Sequence, residues 1–336
     1  MILAFLFACG ADGDSGPVDV GDPAPVLEVP DLTDLDLEAA YPAALTLALQ
    51  GTVSPVWAGH VASMDLARAG CPDLYAGPPA DEDAEVDEEE GVSWYDHCTT
   101  DGGLFFSGWA WWDAAIEVAD EVDGQPGQSV QASRTLVADG VIGDDVSDLY
   151  AFDGEAEDAL TQETADGYDA WTWSSVVTGS VGGSLVMDGT DTPDGWRADL
   201  SLYATGPAPQ TLTLVGNLYA YNPVLQERFD SVSVDLTWTD TASSDACALE
   251  PVGYLSVRDE DAFWYDLVFQ PLEDESMSDS GYADDPYAAC DGCGTLYVRG
   301  IEQGTVCPDL SFLWAGAITP PTVDDFVLSL HDLEGP

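Results

Sequence analysis

Two periodicities divide the chain. Between about residue 34 and residue 70 the apolar positions recur every three or four residues, and from Val92 onward they recur every two. The first pattern predicts two helices. One runs from Asp34 or Pro42 to Leu49, with Leu37, Tyr41, Ala44, Leu45 and Ala48 on one stripe, Pro42 opening or kinking it, and Gly51 just past its end. The other takes Ser54 as N-cap and Pro55 at the first helical position, buries Trp57, Val61, Met64 and Ala67, and stops at Gly70.

The second pattern predicts strands. Leu104–Asp113, Trp196–Ala204, Thr211–Ala220, Phe229–Thr239 and Phe263–Gln270 alternate and are rich in β-branched and aromatic residues. Asp-Gly pairs at 101/102, 123/124, 139/140, 153/154, 166/167, 188/189, 194/195 and 291/292 favour the positive φ angles of tight hairpins, so they mark expected reversals. Short links force antiparallel neighbours. The expectation is a mainly β protein: a large antiparallel meander forming a sandwich or partly closed barrel, with a short N-terminal helical pair packed on it. Gly103–Gly108, Gly183–Gly189 and Gly294–Gly300 each bound a short apolar run and suggest repeated hairpin units.

Charge changes the picture. Sixty-four acids face six cations, for a net charge of −58, and all six cations are Arg (68, 134, 197, 228, 258, 299). Isolated arginines in so negative a field cannot hold a polyanion, which excludes nucleic-acid binding and electrostatic docking on anionic lipid. Disorder is excluded for most of the chain by 46% apolar content with 10% aromatics. The acidity fits an extracellular surface or a high-salt setting, where counterions screen self-repulsion. Asp81–Glu90 carries eight acids in ten residues and reads as a solvated loop.

Leu6-Phe7-Ala8-Cys9 closes an apolar run beginning at Ile2. It resembles the lipobox cleaved by the bacterial lipoprotein signal peptidase, and the resemblance implies removal of residues 1–8 and acylation of Cys9. Residues 9–32 are acidic and rich in Gly and Pro, as an extended tether is. Residues 33–70 then form the helical segment and 71–336 the antiparallel domain. Gly10 lacks the Asp that commonly retains such lipoproteins at the inner membrane, which implies a lipid anchor in the outer membrane as the sole membrane contact. No stretch of 18 apolar residues offers a spanning helix.

Six further cysteines form two clusters, Cys71 and Cys98, then Cys247, Cys290, Cys293 and Cys307. Export implies disulfides, Cys71 with Cys98 and the other four among themselves. The Cys290-Asp-Gly-Cys293-Gly motif is the alternative start of a tetrahedral zinc site. Through CDGCG and its later Cys the body also resembles uncharacterised cysteine-containing envelope lipoproteins, which brings no activity with it.

Catalytic chemistry is thinly supplied. There are three histidines, at 60, 97 and 331; only His97 adjoins a thiol, and neighbours on a strand point to opposite faces. Gly13-Asp14-Ser15-Gly16 resembles the active-site motif of chymotrypsin-like proteases, but that family places its His and Asp upstream of the Ser and no His precedes Asp14 here. Calcium is the weaker cofactor expectation, at Asp188, Asp191 and Asp194 or at the 81–90 run; no cofactor is the leading one.

Among eleven tryptophans, Trp109 with Trp111 and Trp171 with Trp173 stand two apart and share strand faces. Exposed, they would form a ligand platform for sugars; buried, they are core, which is the favoured reading. The leading function is a non-enzymatic binding or structural module on the envelope, of unknown glycan or protein partner. The alternative is a carbohydrate-binding module or glycoside hydrolase using Trp platforms and an Asp/Glu pair.

Overall fold

The computed structural model describes residues 29–68, 70–72, 74–76, 92–95, 97–122, 124–145, 147–166, 168–185, 195–207, 210–220, 228–240, 251–269, 292–311 and 320–326. The signal-like segment, Cys9, the acidic run 81–90, Cys247, Cys290, His331 and Asp188, Asp191 and Asp194 lie outside the described residues.

Helix α1 spans Leu37–Gln50 and α2 spans Val53–Met64. The Asp36 side chain caps α1 by accepting from the Ala39 N–H. Leu37, Ala40, Tyr41, Ala44, Leu45 and Ala48 are buried, which is the stripe read from the sequence. Pro42 neither opens nor ends α1; it sits inside the second turn on the half-buried side. Gly51 joins the two helices. A Cβ there would fall 2.7 Å from Leu218 Cδ1 and 2.9 Å from Leu200 Cδ1, so any larger residue would have to displace both leucine side chains for the turn to lie on the sheet.

The second helix departs from expectation at both ends. Its N-cap is Thr52 rather than Ser54, and the Thr52 hydroxyl turns back to donate to Leu49 O. It ends at Met64, not near Gly70, because Arg68 and Cys71 pair across an antiparallel bridge and Cys71 is tied to Cys98.

Fourteen strands make one antiparallel sheet among the described residues, and it does not close on itself. They are β1 (Leu74–Ala76), β2 (Val92–Tyr95), β3 (Cys98–Thr99), β4 (Phe105–Val122), β5 (Gln125–Gly143), β6 (Asp148–Ala165), β7 (Tyr168–Gly182), β8 (Trp196–Gly206), β9 (Gln210–Ala220), β10 (Phe229–Asp240), β11 (Val252–Asp259), β12 (Trp264–Val268), β13 (Gly294–Val298) and β14 (Ile301–Val306). Spatial order follows chain order, with β3 paired to the outer side of β4 beyond the end of β2. The mainly β antiparallel meander with an N-terminal helical pair is thus what forms.

One face of this sheet, the inner one, carries the helices: α2 over β6 and β7, α1 over β10 and β11. Its side chains and those of the helices make one core cluster extending from Phe106 on β4 to Val298 on β13. A short 3-10 turn, Val323–Phe326, packs against β4 and β5 and buries Phe326.

The Asp-Gly pairs divide. At 123/124 and 166/167 the flanking residues pair as hairpin ends, Val122 with Gln125 and Ala165 with Tyr168, and Gly124 has φ +74°. The pairs at 139/140 and 153/154 instead lie inside β5 and β6 and reverse nothing. Their glycines continue an inner-face band in which strands approach closely. At Gly108 in β4, φ is +88° and a Cβ would overlap Asp139 O of β5. Of the three glycine-bounded runs, Phe105–Gly108 is the start of an 18-residue strand and Gly294–Val298 is a five-residue strand, while most of Gly183–Gly189 lies outside the described residues.

Candidate functional site

The structure separates the four tryptophans of the expected platform. Trp173 is buried and Trp171 packs against the core cluster, both on the inner face of β7. Trp109 and Trp111 lie on the opposite face of β4, half-buried, across from Asp139 and Val137 of β5. No common surface contains all four.

Cys71 bonds Cys98 as expected, and Cys293 bonds Cys307. The latter bridge takes two thiols from the set proposed for zinc. Among the described residues no three His, Cys, Asp or Glu side chains gather as metal ligands would.

Titratable groups on the inner face are locked into packing. Arg134 of β5 donates from Nε and Nη2 to Asp158 Oδ2 of β6, at 2.9 and 2.5 Å, and from Nη1 to the Asp325 carbonyl at 2.7 Å. Its guanidinium lies between the rings of Trp57 and Phe326, 5.2 and 4.7 Å from their centroids. The second Asp158 oxygen accepts from Trp173 Nε1 at 2.5 Å. Burial pushes the Asp158 carboxyl above its ordinary value, against the opposing pull of Arg134 and of the Trp173 N–H. This network fastens α2, the 3-10 turn and three strands at one point, and both charges are enclosed.

His60 of α2 is also enclosed, by Trp57, Trp112 and Tyr150 with ring centroids 5.8, 4.9 and 5.7 Å away. Neither ring nitrogen has a hydrogen-bond partner, and burial lowers its pKa to about 3. A neutral imidazole sealed among aromatic rings cannot exchange protons with a substrate. Further along, Tyr265 donates to Asp259 Oδ2 at 2.7 Å, and its carbonyl accepts from the buried Tyr41 hydroxyl at 3.0 Å, which ties α1 to β12.

The outer face is differently equipped. Tyr203, Val215 and Tyr219 are exposed on β8 and β9. Next to Tyr219, the Arg258 guanidinium of β11 lies 5.9 Å from the Tyr219 ring and 5.7 Å from the Trp264 ring, while Arg258 Nε donates to Asp230 Oδ1 at 3.0 Å. Four of the six arginines (197, 228, 258, 299) sit at the same end of the sheet, since they neighbour the start of β8 and β10, the end of β11 and the turn between β13 and β14. Sequence reasoning missed this group. The six arginines were visible as rarities, but only the register shows that two of them flank Tyr219.

The chain matches no protein-family model, and the search of curated proteins and of solved structures returned no match.

Proposed function

We propose that this chain is an exported protein, held in the outer membrane by an acylated Cys9, and that it acts without catalysis as a binding or structural module of the cell envelope. The observation that carries the reading is the pair of disulfides, Cys71–Cys98 and Cys293–Cys307, which belong to an oxidising compartment. The lipobox-like Leu6–Cys9, the tether that follows and the acidic composition are consistent with it. Among the described residues no helix is long and apolar enough to cross a membrane. The non-catalytic part is supported by the enclosure of His60, Arg134 and Asp158, whose polar atoms serve the packing or are sealed from solvent.

Intact-mass measurement of the protein taken from membranes of its native host tests the reading. The expected result is loss of residues 1–8, a mass gain of a diacylglyceryl group with one further acyl chain, and oxidised cysteines. An unprocessed Met1 without acyl chains, or free thiols at Cys71, Cys98, Cys293 and Cys307, overturns it. Substituting Cys9→Ala is expected to move the protein from the membrane fraction to the soluble one.

A further inference from the structure

A ladder of side chains crosses the outer face of the sheet, and its Tyr219 and Trp264 rings stand outside the main core cluster. Arg197 on β8 pairs in register with Tyr219 on β9, Tyr219 with Ser231 on β10, Ser231 with Arg258 on β11, and Arg258 with Trp264 on β12. Neighbouring strands are ~4.8 Å apart, so the ladder runs roughly 19 Å across the strands. Ser231 is only 1% exposed and forms its floor, donating to Asp230 Oδ1 at 2.7 Å. Above that floor the Arg258 guanidinium bridges the two rings, held by the same carboxylate oxygen. Tyr219 is 38% exposed, and Arg197 at the end of the row is exposed.

We infer that this ladder is a binding platform for a neutral polysaccharide, an inference that rests on the non-enzymatic binding reading above. Rings alternate with planar polar groups along the row, which matches a sugar chain: its C–H faces stack on Tyr219 and Trp264, and its hydroxyls meet Arg197, Asp230 and Arg258 between them. Charge selects the class of polymer. A polyanion is repelled by a chain of net charge −58, and Arg258, already paired with Asp230, has no full charge to offer it. A protein surface would also meet Tyr, Trp and Arg, but the Asp230 carboxylate and Arg258 already satisfy each other between the rings, which favours a ligand that offers hydroxyls over one that offers its own charges. An added β-strand is excluded by topology, because β8 to β12 are each paired on both sides.

Affinity electrophoresis and calorimetric titration of the full-length chain against soluble β-glucan, mannan and arabinoxylan, with dextran sulfate as the charged comparison, test the inference. Expected are binding of at least one neutral polymer with little dependence on salt, a loss of tenfold or more in Tyr219→Ala and in Trp264→Ala, and unchanged binding in Val118→Ser, which lies outside the ladder. Arg197→Ala, at an exposed position, carries the same expectation and serves should either aromatic variant fail to fold. No binding of any neutral polymer, binding only of dextran sulfate, binding unaffected by all three ladder variants, or a self-association abolished by Tyr219→Ala overturns the platform. Appearance of new reducing ends during incubation overturns the non-enzymatic reading and leaves the platform standing, so the two failures are distinguishable.

Discussion

Along β8 the two faces of the sheet alternate residue by residue. Trp196, Ala198, Leu200, Leu202 and Ala204 are buried, while Arg197, Asp199, Ser201 and Tyr203 are exposed. The inner face has to fit a helical pair, so every atom there is constrained by shape. The polar groups it encloses include the Arg134–Asp158–Trp173 network, the Tyr265–Asp259 pair and the aromatic-walled His60. The outer face meets solvent along β8 and β9, while over β11 to β13 it holds a second small cluster of Val268, Tyr297 and Tyr254. Thr205 with Thr211 and Thr213 with Thr237 join hydroxyls across strands at 2.7 and 3.1 Å, and acids fill many of the remaining positions. On such a face an exposed ring stacked on a guanidinium is unexplained by packing, whereas the same contact inside, Arg134 against Trp57, is part of the core. The same chemistry stabilises the fold on one side and, on the other, forms the platform we propose for recognition.

The largest expected effect breaks the inner face. Arg134→Ala leaves Asp158 as an uncompensated buried charge and should cost about 3–5 kcal/mol in denaturant unfolding, while Arg134→Met combined with Asp158→Leu should recover most of that loss. A single variant as stable as wild type would show that the network is not enclosed in solution.

The bridge between Cys71 and Cys98 fastens the segment after α2 to β3 at the rim of the sheet. It closes 27 residues against 14 for Cys293–Cys307. Removing it by Cys71→Ser with Cys98→Ser should cost about 3–4 kcal/mol, slightly more than removing the other, with thermal melting under non-reducing conditions as the measurement. A smaller effect than at Cys293 and Cys307 would mean that the helical layer is held by packing alone.

Acid should loosen the inner face through His60. The unfolded chain takes up a proton there below about pH 6.5, whereas the folded protein resists until about pH 3. Stability from this residue is therefore complete above pH 6.5 and falls by about 1.4 kcal/mol for each unit below it, or about 3 kcal/mol by pH 4. Many carboxylates titrate in the same window, so the diagnostic quantity is a difference. A His60→Phe variant should have a pH slope lower by one proton between pH 4 and 6, and identical slopes would contradict the enclosure.

The smallest expected effect sharpens the contrast. Tyr203→Ser and Tyr219→Ala on the outer face should change unfolding free energy by about 0.5 kcal/mol or less, even where Tyr219→Ala removes binding. A loss of several kcal/mol at either position would make the outer ladder structural.

How far the sequence could be read depended on which interactions were local. The α1 stripe, its cap region and the strand from Trp196 were legible because each is encoded by neighbours a few residues apart. The distal half of β4, Asp113–Val122, was not: DAAIEVADEV is poor in β-branched residues, and it becomes strand because it pairs with β5 as far as Val122. The same holds for Asp139-Gly140 and Asp153-Gly154, where turn chemistry is overridden by long continuous pairing. For the expected site, two-residue spacing correctly grouped Trp109 with Trp111 and Trp171 with Trp173, but alternation cannot say which face the helices cover. That choice put Trp173 in the core and left the first pair outside.

Alternation, helical stripes and cysteine spacing by themselves determined a mainly β antiparallel meander, a helical pair ahead of it, and the bridge from Cys71 to Cys98. Register and packing alone decided that Arg134 meets Asp158, that His60 is walled in by rings, and that Arg197, Tyr219, Arg258 and Trp264 line up across five strands. The reason is that residues such as Arg134 and Asp325, 191 positions apart, become neighbours only when strand pairing and packing set their offset, and no pattern along the chain contains that offset.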